Sequence, residues 1–323
     1  MFSFDIFTEI SSPSDFEILA LEIYHYQKTH CKVYGDYVRL LNRPEPISLN
    51  EIPFLPIEFF KQHAILSDTF NNAAAIFKSS GTGGDSRSSH FVGDIDLYKK
   101  SFSLAYRQSI GPPENQVILA LLPNYISQGD SSLVFMVNEL ISQSNNSLSQ
   151  FLLGDVATLK TAYLEAISLG KVPVIIGVSY ALLDIADHGV DLAEAIVIET
   201  GGMKGRRQEL SKAELHAVLK EKLNLSSVYS EYGMTELLSQ AYSKQEGVFH
   251  CPPWMKVLIR DVYDPLQLLE DGKKGGVNII DLANLHSCSF IATQDMGRVL
   301  KAGFVLEGRI EMADLKGCNL LID

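Results

Sequence analysis

Positive charge is scarce in this chain. Its 323 residues carry 27 Lys and Arg against 39 Asp and Glu, a formal charge of −12. Surfaces that grip nucleic acid or anionic membrane need clustered Lys and Arg, so neither partner is expected, although a local basic pocket for a nucleotide remains open. Cysteine is scarcer still. Cys31, Cys251, Cys288 and Cys318 lie far apart without a CxxC pair, which argues against a disulfide framework or a zinc site and fits a reducing cytoplasm. No window reaches the about 18 uninterrupted apolar residues of a membrane span. A signal peptide is not expected either, because the first lysine is Lys28 and acids interrupt the stretch 2–9.

What is present is core. Hydrophobic residues make up 46 % of the chain, enough to exclude disorder. The length exceeds the roughly 100–200 residues of one domain, so one large or two fused domains are expected. Residues 14–42 read as helix, with Phe16, Leu19, Ile23 and Tyr26 recurring at three and four. A proline-punctuated connector, 43–56, follows. Apolar runs at 117–122, 151–153, 172–178, 195–198 and 227–229 are separated by helical stretches, the rhythm of a buried, largely parallel sheet. The helix expected at 212–225 carries a capping box, Ser211 with Glu214, and an apolar stripe of Leu215, Val218, Leu219 and Leu223. Beyond Gly247 the runs 254–262, 276–281, 290–293 and 304–310 alternate with Asp-Pro, Asp-Gly and Gly-Gly turns, which predicts an antiparallel meander. The fold class is α/β: a parallel sheet layered with helices, followed by that meander.

Three stretches carry candidate chemistry. In 78-KSSGTGGDSRSSH-90, Ser79, Ser80, Gly81, Thr82, Gly83 and Gly84 follow a strand-like run. Backbone N–H groups of such a loop converge on phosphate oxygens and its hydroxyls add donors. It lacks the lysine of the familiar P-loop, and read alone it is equally a solvated turn. In 229-YSEYGMTELLSQ-240, a strand runs through Tyr232 into Gly233, and Thr235-Glu236 is expected to open an apolar helix. A hydroxyl and a carboxylate there could hold a phosphate and its Mg²⁺, or simply start a helix. In 293-TQDMGR-298 and 308-GR-309, Asp295 could accept from ribose hydroxyls and Arg309 offers a fork to phosphate or ribose; a turn acid and a surface base are the plainer readings.

Taken together, the order and spacing of these stretches resemble the adenylate-forming superfamily of acyl-CoA synthetases and related ligases. The likeness runs from about residue 70 to 310. Ser79–Gly84 is similar to its phosphate loop, 232-YGMTE-236 to its adenine-and-magnesium motif, 263–284 to the hairpin before its ribose-binding aspartate, here Asp295, and Gly308-Arg309 to the start of its hinge. Within the superfamily, 52-IPFLPIEFFK-61, 199-ETGGMKGR-206, 228-VYSEYGMTEL-237 and the ending 308–323 most resemble acyl-protein synthetases of the LuxE type. The resemblance implies ATP and Mg²⁺ as cofactors. It implies that Tyr232 stacks on adenine, Thr235 meets the α-phosphate, Glu236 binds the metal, and Asp295 with Arg309 holds the ribose. It also implies that Gly201 and Gly202 let the backbone approach the adenine.

The same resemblance implies a carboxylic acid substrate, expected to be a fatty acid, and a partner reductase, transferase or acyl carrier. Members of the superfamily continue past the hinge into a small lid domain bearing a catalytic lysine, whereas this sequence ends fourteen residues after Arg309. The lid is therefore expected to be absent. Lys204 could substitute locally, though a solvent-exposed turn lysine is the plainer reading. Cys318 occupies a place similar to the tail cysteine that accepts the acyl group in LuxE-type enzymes, and read alone it is equally a small apolar residue among Leu315, Leu320, Leu321 and Ile322. Cys251, Cys288, His90 and His188 are expected to be structural. The expected organisation is a helical segment, 1–70, an α/β nucleotide-binding core, 71–247, a β-rich subdomain, 248–310, and a tail, 311–323. The expected activity is ATP-dependent adenylation of an acid with acyl transfer to a thiol of this protein or a partner. The alternatives are a stand-alone coenzyme A or carrier-protein ligase and an inactive nucleotide-binding module.

Overall fold

A computed structural model of the chain describes residues 5–80, 87–122, 129–152, 154–201, 210–244 and 247–310. It opens with two helices where the periodicity predicts one. In α1 (Pro13–His30) the Ser12 hydroxyl accepts from the Asp15 N–H while the Asp15 carboxylate accepts from the Ser12 N–H, a capping box. The helix stops at Cys31, whose backbone is extended, and α2 (Lys32–Leu41) packs against it. Gly35 permits this approach, because a Cβ there would stand 2.3 Å from the Lys28 carbonyl oxygen. Apolar spacing continues through the break, which is why it hides the corner.

After the short elements β1 (Leu55–Pro56) and α3 (Phe59–Gln62), strands β2 (Ala75–Lys78) and β3 (Ser89–Val92) pair as an antiparallel hairpin on either side of the glycine-rich stretch. The main sheet then forms from β4 (Gln116–Leu121), β5 (Gln150–Phe151), β6 (Val172–Val178), β7 (Ile196–Thr200), β8 (Tyr229–Tyr232) and β9 (Ala241–Ser243). Its order is β5-β4-β6-β7-β8-β9, parallel throughout except that β9 runs antiparallel to β8. Every residue of β4 and all of β6 after Val172 are buried, as continuous apolar runs require of strands covered on both faces. Helix α4 (Ile95–Ser109) leads into β4, and α5 (Ser132–Ser144), α6 (Val156–Ser168), α7 (Ser179–Ala186) and α8 (Lys212–Leu223) lie between these strands in the chain. α8 begins at the predicted Ser211–Glu214 capping box.

The meander consists of β10 (Met255–Arg260), β11 (Gly275–Asp281), β12 (Phe290–Leu300) and β13 (Gly303–Arg309), each antiparallel to the next. β1 adds a parallel pairing to the first half of β12, matching Leu55 with Ile291. β12 is longer than its apolar run, because it continues through Asp295 to Leu300 with a register irregularity between Asp295 and Gly297. Trp254, Phe249, Phe290 and Phe304 are fully enclosed around the meander. Among the described residues no helix is long and apolar enough to cross a membrane.

One expectation fails outright: Thr235-Glu236 opens no helix. Residues 233–240 form turns that lead back into β9. The reason lies in which side chains take their backbone groups, and those side chains define the site.

Candidate functional site

The turn after β8 is held by side chains from three other places. His90, on β3, points Nδ1 at the Thr235 carbonyl oxygen, 2.7 Å away. Asn284 donates its amide nitrogen to the Glu236 carbonyl at 2.8 Å. Asp281, at the end of β11, accepts from the Leu238 and Ser239 N–H groups at 2.8 and 3.0 Å and from the Ser239 hydroxyl at 2.5 Å. The carbonyls and N–H groups that a helix would pair internally are thus bonded to side chains, so the helix is lost. Burial pushes Asp281 up to about 6 against these donors. It pushes His90 down to about 4, although its two hydrogen-bond partners favour the charged ring. The neutral ring has one hydrogen and two acceptors facing it, the Thr235 carbonyl at Nδ1 and an amide oxygen at Nε2. Asn284 Oδ1 lies 3.0 Å from Nε2.

The Glu236 side chain is only 5 % exposed. Burial pushes its carboxyl up, and the Ser88 hydroxyl and the Arg309 charge pull the other way. Ser88 and His90 are two residues apart and both buried, so one face of the β3 segment addresses this turn. Ser88 also closes the base of the glycine-rich stretch, donating its N–H to Ser79 Oγ at 2.9 Å while its carbonyl accepts from the Ser79 N–H at 3.0 Å. Arg87 adds a bidentate pair to Asp130, at 2.9 and 3.1 Å, and donates to the Ser79 carbonyl. Ser80 is exposed. Gly81, Thr82, Gly83 and Gly84 lie outside the described residues.

Across from the turn, Tyr232 closes β8 and reaches the meander. Its hydroxyl donates to Asp295 Oδ2 at 2.8 Å. Arg309, the register partner of Asp295, brings Nε to 3.4 Å from Oδ1. Burial pushes the Asp295 carboxyl up against the Tyr232 hydrogen bond and the Arg309 and Arg260 charges. The Tyr232 ring packs against Phe249 and Phe304 at centroid distances of 5.8 and 5.6 Å, and the residue is 7 % exposed. What Tyr232 visibly contributes is a hydroxyl that orients Asp295. Tyr232, Asp295 and Arg309, far apart in sequence, thus meet in one place, with both Asp295 and Arg309 acting electrostatically on Glu236.

Beneath this site lies a charged cluster that the sequence reading passed over. Glu199 pairs with Lys212, its Oε1 stands 3.6 Å from His216 Nε2, and the Ser230 hydroxyl is 3.1 Å from the same ring nitrogen. Burial pushes Glu199 up, but His216 and Lys212 together hold it below the ordinary carboxylate value. Glu231, whose carboxylate accepts from the Thr200 hydroxyl, is pushed up to about 7 by burial, with the Glu199 charge adding to the shift. A Cβ at Gly233 would lie 2.4 Å from Glu231 Oε1, so that carboxyl would have to shift to admit one. Gly201 adopts φ +70 and its carbonyl faces the Ser179 hydroxyl at 3.5 Å.

The remaining candidates sort simply. Gly202, Lys204 and Cys318 lie outside the described residues. Cys251 is pushed up to about 12 and Cys288 well above the ordinary thiol value, both by burial, so neither is a thiolate at neutral pH. No group of three or more His, Cys, Asp or Glu that could hold a metal occurs among the described residues. A lone buried carboxylate with a raised pKa gains from a neighbouring cation. It suits Mg²⁺, which takes one or two carboxylates and completes its shell with phosphate and water oxygens.

No protein-family model matches the chain, and no curated protein does. Solved structures do. MatB from Rhodopseudomonas palustris, with ATP bound, aligns at TM-score 0.56 and 18 % identity over 73 % of this chain and 48 % of its own. MenE from Bacillus subtilis, an O-succinylbenzoate coenzyme A synthetase in complex with ATP and magnesium ion, aligns at 0.53 and 18 % over 74 % and 50 %. An open conformation of 2-hydroxyisobutyryl-CoA ligase, in complex with 2-HIB-AMP and CoA, aligns at 0.64 and 11 % over 93 % and 70 %. This chain thus spans about half the length of MatB and MenE. At such identities the likeness speaks for architecture, and it does so plainly: this chain has the large-domain fold of adenylate-forming ligases.

Proposed function

We propose that this protein activates a carboxylic acid with ATP, forming an acyl-adenylate and pyrophosphate, and then passes the acyl group to a thiol. The observation that carries the reading is the meeting of Tyr232, Asp295 and Arg309 beside a buried Glu236, on this fold. The Asp295 carboxylate, steadied by Tyr232 and flanked by Arg309, suits the two hydroxyls of a ribose. Ser79 and its neighbours would present hydroxyls and N–H groups to the phosphates, with Thr235 near the α-phosphate. Gly201 and Gly202 would let the backbone approach the base.

In the first step a substrate carboxylate oxygen attacks the α-phosphorus and pyrophosphate leaves. Anion approaches anion, so the site must supply positive charge and oriented donors. Mg²⁺, held by Glu236 and the phosphate oxygens, would neutralise part of that charge. Arg309 supplies more. In the second step a thiolate attacks the acyl carbon and AMP leaves. Cys318 is our candidate for that thiol, in the manner of LuxE-type acyl-protein synthetases, and a fatty acid is our candidate substrate. On this reading residues 1–70 brace the core and 311–323 carry the acceptor.

The test is incubation with ATP, Mg²⁺ and labelled acids, followed by denaturation. Label that survives denaturation and is released by hydroxylamine is expected, and Cys318→Ser should lose it while retaining pyrophosphate exchange. Label that persists in Cys318→Ser sinks the acceptor assignment. Exchange without any stable label favours delivery to coenzyme A or a carrier protein.

A further inference from the structure

Residues 235–240, Thr-Glu-Leu-Leu-Ser-Gln, contain no Gly or Pro that would forbid a helix, yet they form none. The molecule instead buries His90, Asp281 and Asn284, each essentially without solvent exposure, to hold a different shape. Burying polar side chains costs stability unless each finds a partner. Here they find the Thr235 and Glu236 carbonyls and the Leu238 and Ser239 N–H groups. A local rule broken at such expense marks a place where geometry matters.

The grips come from separate elements. His90 belongs to the strand leaving the glycine-rich stretch, and Ser88, two residues earlier on the same face, bears on the Glu236 carboxyl. Asn284 follows β11 and is braced in turn by α1: Gln27 donates to the Asn284 and Leu285 carbonyls at 3.0 and 2.8 Å. The Thr235 and Glu236 carbonyls are therefore fixed by two residues far apart in the chain. The Glu236 carboxyl itself meets the Ser88 hydroxyl and its own backbone N–H.

We infer that His90 and Asn284 are positioning residues, which aim the Glu236 carboxylate at a divalent cation and tie that aim to the base of the glycine-rich stretch. The inference rests on the proposed ATP- and Mg²⁺-binding role of this site and names two residues through which that role is exercised. Neither touches the ligand. Each acts on the backbone that carries Glu236, as residues behind a metal ligand do elsewhere.

The test uses calorimetric titration of the full chain with a non-hydrolysable ATP analogue, with and without Mg²⁺. The wild type is expected to bind the analogue, and Mg²⁺ to tighten that binding. Asn284→Asp, which removes the donor to the Glu236 carbonyl, and His90→Leu should lose about 10- to 100-fold of the Mg²⁺-dependent gain. Both should keep their metal-free affinity. His90→Asn places an amide nitrogen near the Nδ1 position and should recover most of the gain. Should His90→Leu not fold, the contrast of His90→Asn with Asn284→Asp carries the same comparison. The inference is overturned if folded variants keep the full Mg²⁺ gain, or if metal-free and metal-dependent affinities fall together, as a purely structural role predicts. A wild type that binds no nucleotide overturns the proposed function, and this inference with it.

Discussion

Glu231 and Glu236 stand five residues apart, both buried, both with carboxyls raised by that burial, yet their surroundings differ in kind. Glu231 lies inside the sheet, bonded by Thr200 and neighboured by Glu199 and Lys212, and it presses against Gly233. Its carboxyl is occupied. Glu236 has its backbone held by His90 and Asn284 and its side chain answered chiefly by Ser88, with Arg309 and Asp295 acting on it across the site. Its carboxyl is the one our proposal assigns to Mg²⁺. The same residue type at the same depth thus belongs to the framework in one case, and in the other is the acid to which we assign the metal. The difference lies in whether the fold grips the side chain or the main chain.

The sharpest way to break this comparison is to neutralise each acid in turn. Glu236→Ala should abolish acid-dependent pyrophosphate exchange while the far-UV circular dichroism stays unchanged. Glu231→Gln should keep most of that exchange. Equal losses would erase the distinction. Next in size is Asp281→Ala, which strands three buried N–H groups and a hydroxyl. It should cost about 3–5 kcal/mol in urea unfolding, and little change would mean the turn does not need its anchor.

The third effect is a pH dependence. Glu231 has an ordinary pKa of 4.5 that rises to about 7 in the fold. The folded state then holds a proton that the unfolded state releases, so this contribution is fully present below 4.5 and is lost as pH rises through about 7. Over that window the wild type should lose about 3 kcal/mol that Glu231→Gln does not, measured by unfolding at a series of pH values. A parallel pair of stability curves would contradict the buried, protonated assignment.

Gly233→Ala forces a Cβ onto the Glu231 carboxylate, and about 1–3 kcal/mol of destabilisation is expected. Relief of that cost in the Gly233→Ala, Glu231→Ala double variant would confirm the clash. Arg309→Ala should be the mildest for folding. Its pair with Asp295 involves an arginine 71 % exposed, worth less than about 1 kcal/mol. Thermal unfolding should barely move while nucleotide affinity falls. A large loss of stability would instead assign Arg309 to the framework.

Much of the architecture was legible in the sequence, because buried parallel strands write themselves as unbroken apolar runs. The run at 172–178 is β6 residue for residue, and the Ser211–Glu214 capping box marks the start of α8. The break between α1 and α2 was hidden, since Gly35 acts through a close approach rather than through periodicity. Asp295 was visible as a residue, but its place inside β12 was not, because polar positions continue that strand past its apolar half. The turn at 235–240 failed as a helix for a non-local reason: His90, Asp281 and Asn284 lie about 40 or more residues away, and no window around Glu236 contains them. Glu199 and Glu231 stood inside quoted stretches, yet only their three-dimensional neighbours distinguish them from surface acids.

The most direct test of the account is ATP–pyrophosphate exchange by the intact protein over a panel of carboxylic acids, fatty acids included, with Glu236→Ala as the control. The account predicts exchange that requires one class of acid and Mg²⁺ and disappears in the variant. Binding of ATP without exchange for any acid would contradict it.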